Sequence, residues 1–162
     1  MNPILADMFR HNQWANLALL DLCATSPDDV LETTAPGTYG SIRDTLRHIV
    51  GAEERYAAAL LGGDERRNPT LEATEPDLAT LREHARRSGE ELIAFAQSVD
   101  GDPTLDVTWR GESHRAPASL FLVQAINHAT EHRAQVMTAL TQAGVTPAEL
   151  DGWSWDEQGR GA

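Results

Sequence analysis

The sequence contains no lysine, so all 13 of its basic side chains are arginine, and they face 25 aspartates and glutamates. The formal net charge is -12 and the pI is near 4.8. A surface of this charge repels phosphate groups. We therefore expect neither nucleic acid nor an anionic membrane to be a partner.

Cysteine is almost absent, and the single Cys23 excludes an internal disulfide framework. It shares a predicted helix face with Leu5 and Leu19, which is typical of a small core residue rather than a nucleophile. No apolar run approaches the roughly 20 residues that span a bilayer. The N-terminal segment is interrupted by Asp7 and Arg10 and lacks the pattern of a secretion signal. We expect a cytoplasmic protein.

Four segments carry apolar residues at helical spacing, and they predict one all-α domain over residues 1–162. The predicted helices cover about 3–25, 41–61, 75–99 and 117–143, with Ser41 as a cap. Before the last helix, "TLDVTW" and "SHRAP" flank Arg110 and Gly111 and indicate a short β-hairpin. A polar loop is expected near 64–74, and the tail after Pro147 is interpreted as irregular. Four such helices bury their apolar stripes in a four-helix bundle.

Two histidines, His128 and His132, lie four residues apart on the apolar stripe of the last predicted helix. Positions at this spacing lie one turn apart, about 40° around the helix axis, so both rings can converge on one point. Neutral imidazole is a preferred ligand of zinc and other transition metals. The pair therefore indicates a metal site, although it could also be a chance pair of core histidines.

A third ligand has to come from another helix, and His48 is the candidate. Its phase lies at the margin of the apolar face of the second predicted helix, which leaves the direction of its ring open. Three histidines would leave a coordination position vacant, as catalytic metal sites do. The remaining histidines, His11, His84 and His114, fit ordinary surface roles.

The polar neighbours of these positions are also informative. Glu131 and Arg133 flank the histidine pair but fall off its stripe, and we interpret them as solvated or ion-paired. In the first helix, Asn12 and Asn16 lie on the apolar stripe, where a buried amide needs hydrogen-bond partners. They are candidates for contacting a cofactor or substrate or for orienting a ligating histidine. Hydrogen bonding within the core is the alternative.

The chain resembles the DinB/YfiT-like family of metal-dependent bundle proteins over nearly its whole length. The resemblance is carried by "NQWAN", "SIRDTLRHIVGAEERY", the hairpin near Trp109 and "NHATEHRAQV", in this order and spacing. It implies an up-down-down-up four-helix bundle, often a homodimer, with a divalent metal held by His48, His128 and His132. Zinc is the favoured ion, with nickel, iron or manganese as alternatives.

The resemblance also implies a class of chemistry. Relatives include S-transferases that use a low-molecular-weight thiol, and a thiol-dependent isomerase that has Glu where this chain has His128; that departure favours the transferase. The expected function is metal-dependent transfer of a small thiol to an electrophile, with no catalytic side chain assigned because the metal would generate the nucleophile. The alternatives are a metal-dependent hydrolase, although no Glu adjoins the pair as in HExxH, and a non-catalytic metal-stabilised stress or binding protein.

Overall fold

The computed structural model describes residues 3–62, 76–109 and 112–158. In chain order the elements are α1 (Pro3–Ala24), α2 (Asp28–Leu31), α3 (Ile42–Leu60), α4 (Leu78–Ser98), β1 (Thr104–Trp109), β2 (Glu112–Pro117), α5 (Ala118–Gln142) and α6 (Gly152–Gln158). The four long helices confirm the predicted all-α class. None of the helices in this described part combines the length and apolar character needed to cross a membrane.

Local signals in the sequence set the ends of the long helices. The Ser41 side chain accepts a hydrogen bond from the backbone N–H of Asp44 and so caps α3, as expected. The helix expected from about 75 instead begins at Leu78, because the Asp77 carboxylate caps it by accepting from the Thr80 N–H at 2.7 Å. Residues 63–75, including the expected polar loop, lie outside the described residues.

Two groups of buried side chains show how the helices run. One group joins the C-terminal halves of α1 and α5 to the N-terminal halves of α3 and α4, and includes Cys23, Leu46, Leu81 and Leu140. The other joins the opposite halves and includes Phe9, Tyr56, Leu92 and Phe121. Hence α1 and α5 run one way, α3 and α4 run the other way, and the bundle is up-down-down-up.

Helices α1 and α4 approach each other closely at Gly89. A Cβ placed on Gly89 would lie 2.6 Å from the Gln13 side chain, so the glycine leaves the space that this contact needs. The same glutamine donates a hydrogen bond to the Arg86 carbonyl at 2.7 Å. A larger residue at position 89 would therefore require Gln13, or the helices that carry these two residues, to shift.

The predicted hairpin is present, with β1 and β2 antiparallel from the pair Thr104 and Pro117 to the pair Trp109 and Glu112. Its expected tip, residues 110–111, lies outside the described residues. The half-buried Leu105 and Val107 pack on the second core group. The hairpin therefore covers one end of the bundle.

The prediction of an irregular tail is wrong over 152–158, where the chain forms α6. The carboxylate of Asp151 accepts hydrogen bonds from the backbone N–H groups of Trp153 and Ser154, both at 2.9 Å, and so stabilises the start of this helix. Trp155 is buried, whereas Trp153 is 83% exposed. One of the two tail tryptophans thus anchors α6 on the bundle.

Candidate metal centre

Three imidazole rings from two helices meet beside the core. His48 comes from α3, and His128 and His132 come from successive turns of α5. Each offers a ring nitrogen, and these three nitrogens lie within 4.8 Å of one another. The Nε2 atoms of His48 and His128 are 3.0 Å apart. The structure thus brings together all three histidines singled out in the sequence. The ring of His48 points inward, although this residue lies at the margin of the apolar face of its helix.

His132 is oriented by Gln135, which lies one turn further along α5. Its Nδ1 lies 2.9 Å from Oε1 of Gln135, and the same oxygen accepts the backbone N–H of Tyr39 at 3.0 Å. Because that backbone group can only donate, the amide must present its oxygen, so Nδ1 of His132 carries the proton. The Nε2 lone pair of His132 is then available to a metal.

Tyr39 closes one side of the cluster. Its ring stacks on His48 with centroids 3.9 Å apart and meets His132 edge-on at 5.7 Å. His132 is only 9% exposed, whereas Tyr39 is 57% exposed at the end of the loop that precedes α3. The tyrosine therefore shields two of the three imidazoles from solvent.

The donor set suits a divalent transition metal. Around a tetrahedral ion with metal–nitrogen bonds near 2.0 Å, ligand nitrogens are about 3.3 Å apart, and the spread in the cluster needs only modest side-chain closure to reach this spacing. Three neutral nitrogen ligands suit zinc, nickel or iron and leave a coordination position open. The cluster could therefore hold a metal ion.

A sequence model of the DinB family matches residues 1–160. The chain belongs to the DinB family. No curated protein shows significant similarity to it. The match covers all four long helices, the hairpin and the three histidines, so this DinB protein carries the cluster within the region that defines the family.

Electrostatics keep two of the three rings neutral in this DinB protein. Burial, with smaller electrostatic contributions from the neighbouring His132 and Arg55 side chains, lowers the pKa of His48 to about 4. Burial likewise lowers the pKa of His128 to about 4, with contributions from His132, His48 and Arg55. Because only the neutral ring can ligate a metal, these two ligands are ready for an ion at neutral pH.

These pKa values predict how the stability of the metal-free protein depends on pH. Between pH 6.5 and 4 the unfolded chain binds protons on His48 and His128 that the folded chain does not bind, so the free energy of unfolding falls as the pH is lowered. Urea denaturation at several pH values measures this slope. In a His48→Gln, His128→Gln double variant the slope should be smaller, and an unchanged slope would contradict the prediction.

The two asparagines lie apart from the imidazoles, in a buried network that we call the polar layer: Asn12, Asn16, Glu53, Ser88 and Arg133. Each asparagine donates its amide N–H to Oε2 of Glu53 at 2.8 Å and accepts a hydrogen bond from Nη1 of Arg133, at 2.8 and 2.7 Å. The side-chain amides of both asparagines thus contact this carboxylate and this guanidinium. The structure thus places them in core hydrogen bonding, the alternative to a cofactor contact.

The polar layer lies between the two core groups and draws on all four long helices. Ser88 of α4 donates to Oε1 of Glu53 at 2.8 Å, so three donors point at the two carboxylate oxygens, the pattern of an ionised carboxylate. Burial raises the pKa of Glu53, and these hydrogen bonds and the Arg133 charge oppose the rise. Each asparagine amide is hydrogen-bonded to both groups and so bridges the Glu53 carboxylate and the Arg133 guanidinium.

Arg133 was expected to be solvated or ion-paired, and the expectation of a solvated side chain is wrong. The residue is 5% exposed, and burial lowers its pKa to about 10. Its neighbour Glu131 is exposed, as expected. The reason is that α5 contacts α1 as well as α3, so a residue one step off the histidine stripe still faces the core.

The other histidines lie outside the cluster. His11 lies 2.9 Å from the Leu150 carbonyl, and Nδ1 of His84 lies 2.7 Å from a Glu54 oxygen on the neighbouring helix. His114 is half exposed on the hairpin. Each therefore has a local structural contact instead of a place near the three converging rings.

Proposed function

We propose that this protein is a divalent-metal-dependent S-transferase, with zinc as the favoured ion, that joins a low-molecular-weight thiol to a small electrophile. The observation that carries the proposal is the convergence of three ring nitrogens, from His48, His128 and His132, within 4.8 Å. Membership of the DinB family supports it, since the resemblance described above implies S-transferases among the relatives of this chain. An open coordination position gives the thiol a place to bind.

Each group around the cluster has a physical role in this proposal. The three imidazoles hold the cation, which supplies a Lewis acid that stabilises the nucleophilic thiolate form of the thiol. Gln135 fixes the tautomer of His132, and Tyr39 restricts water on one side. In the reaction the thiol loses its proton to solvent, a sulfur–carbon bond forms and the electrophile's leaving group departs. No side-chain base is needed.

The remaining parts of the proposal come from the sequence and the family resemblance. We propose a cytoplasmic homodimer whose partners are the thiol and the electrophile, with no nucleic acid and no membrane. The net charge of -12 supports the last two points.

The deciding experiment measures metal content and turnover together. Protein purified without chelator should contain about one divalent ion per chain by elemental analysis. It should also accelerate the reaction of cysteine or β-mercaptoethanol with monochlorobimane, in which sulfur displaces chloride. Chelation should remove this activity, and re-addition of the ion should restore it.

The same experiment separates the alternatives. Metal-free protein that gains no ion on incubation with zinc would contradict the proposal. If the ion is bound without turnover, and its removal greatly lowers the melting temperature, the cluster is a structural staple. Hydrolysis of a model ester without thiol conjugation would indicate a hydrolase.

A further inference from the structure

A groove of about 650 Å³ opens beside the three-histidine cluster, along the outer face of α3. It is lined by Tyr39, Gly40, Asp44, Arg47, His48, Gly51 and Arg55. This volume is far larger than one ion and a water molecule require, and it lies in the range of small-molecule sites. His48 is the only one of the three histidines that lines it, so a molecule in the groove would reach the cluster past this ring.

The floor of the groove is shaped by Gly51, in the middle of α3. Glycine inside a helix costs about 1 kcal/mol relative to alanine, so bare backbone there is unfavourable for the helix alone. Nη1 of Arg55 lies 3.8 Å from where a Cβ of residue 51 would be. The Arg55 side chain therefore folds back over the glycine, along the helix towards His48.

The positive charge of the Arg55 guanidinium disfavours a metal ion that is bound at the three-histidine cluster without an anionic ligand. Arg55 is close enough to act on both His48 and His128, two of the candidate ligands. A positive charge there weakens the binding of a divalent ion. The chain has a net charge of -12, yet two of its 13 arginines, Arg47 and Arg55, line this one groove. A negatively charged guest would offset that repulsion.

The groove is also polarised along its length. Asp44 lies in the first turn of α3, and its carboxylate is held by the Ser41 hydroxyl, which donates to Oδ2 at 2.9 Å. Arg55 lies about three turns further along the helix, with His48 between them. An elongated guest that carries one negative group is therefore oriented, with that group towards Arg55 and away from Asp44.

We infer that Arg55, with Arg47 lining the same groove, forms an anion-binding subsite that selects thiols carrying a carboxylate. The inference rests on the proposed function, since the thiol sulfur is to occupy the open position of the ion. The carboxylate accepts charge-assisted hydrogen bonds from the guanidinium while the sulfur reaches the cluster. The size of the groove and the positive charge of the subsite together then define the substrate class.

The test compares two thiols of similar size, β-mercaptopropionate and β-mercaptoethanol, which differ in the carboxylate. Their dissociation constants are measured on Co²⁺-loaded protein from the sulfur-to-cobalt absorption band, a readout of binding rather than activity. Wild type should bind the carboxylate thiol at least about tenfold more tightly. In Arg55→Met this preference should fall to within about twofold. Arg82→Met is the matched control, because Arg82 pairs with Asp21 on another face and its loss changes the net charge equally.

The outcomes distinguish failure of the subsite from failure of the proposed function. Equal binding of both thiols by wild type, or an unchanged preference in Arg55→Met, would overturn the subsite while leaving metal-dependent transfer intact. A preference lost equally in Arg82→Met would show a long-range effect of net charge and would also overturn it. Protein that takes up no cobalt would overturn both proposals. Selective binding without conjugation to monochlorobimane would support the subsite and contradict the transferase.

Discussion

His132→Ala is expected to reduce bound metal from about one ion per chain to a small fraction of that value. The substitution removes one of three nitrogen ligands, and the two that remain, on different helices, make an incomplete site. Because a ligand that binds only the folded state stabilises it by about 2.7 kcal/mol at 100 times its dissociation constant, wild type should melt at a higher temperature with zinc. The variant should lose this increase. Elemental analysis and thermal melts with and without zinc measure both effects.

His114→Ala is the matched control for this prediction. It removes the same side chain from the half-exposed hairpin, away from the cluster, and should leave the metal content and the zinc-dependent stabilisation unchanged. A His132→Ala protein that keeps a full complement of metal and the same increase in melting temperature would show that the three rings do not bind the ion together.

Arg133→Met is expected to destabilise the protein by about 3 to 5 kcal/mol, which is the usual cost of removing one partner of a buried ion pair. The substitution leaves Glu53 with no opposite charge in the polar layer and leaves the side-chain oxygens of Asn12 and Asn16 without their donor. For a chain of this size the melting temperature should fall by roughly 6 to 20 °C. Urea denaturation and thermal melting of the metal-free proteins measure this loss.

Arg115→Met provides the comparison, because Arg115 forms an exposed ion pair with Asp106 on the hairpin at 3.1 Å. Its loss should change the free energy of unfolding by less than about 1 kcal/mol. The double variant Arg133→Met, Glu53→Met should be less destabilised than the sum of its two single variants, since the partners share one network. Additive losses of stability would show that Arg133 and Glu53 are not energetically coupled.

Much of the candidate site could be predicted from sequence because helical periodicity is a local property. The spacing of His128 and His132 places them on one face whatever the rest of the chain does. The inward direction of His48 could not be derived in this way, since its phase is marginal. It depends on the position of α3 against α5, which is a property of the whole bundle.

The burial of Arg133 does not follow from the single apolar stripe that the sequence shows on α5. A helix in a four-helix bundle has two neighbours, and its buried surface is wider than a single stripe. A signal was nevertheless present. Two amides on the core face of α1, Asn12 and Asn16, required buried polar partners, and Glu53 and Arg133 supply them. Likewise, Asp151 ahead of Gly152 is a sequence signal for the start of α6.

A single amide oxygen, that of Gln135, receives both the ring N–H of His132 and the main-chain N–H of Tyr39. The tautomer of one imidazole and the position of the segment before α3 are consequently set by the same atom. A guest that moves the Tyr39 backbone would therefore break one of the two hydrogen bonds that this oxygen accepts. Gln135 therefore joins Tyr39, at the edge of the groove, to the ring orientation of one candidate metal ligand.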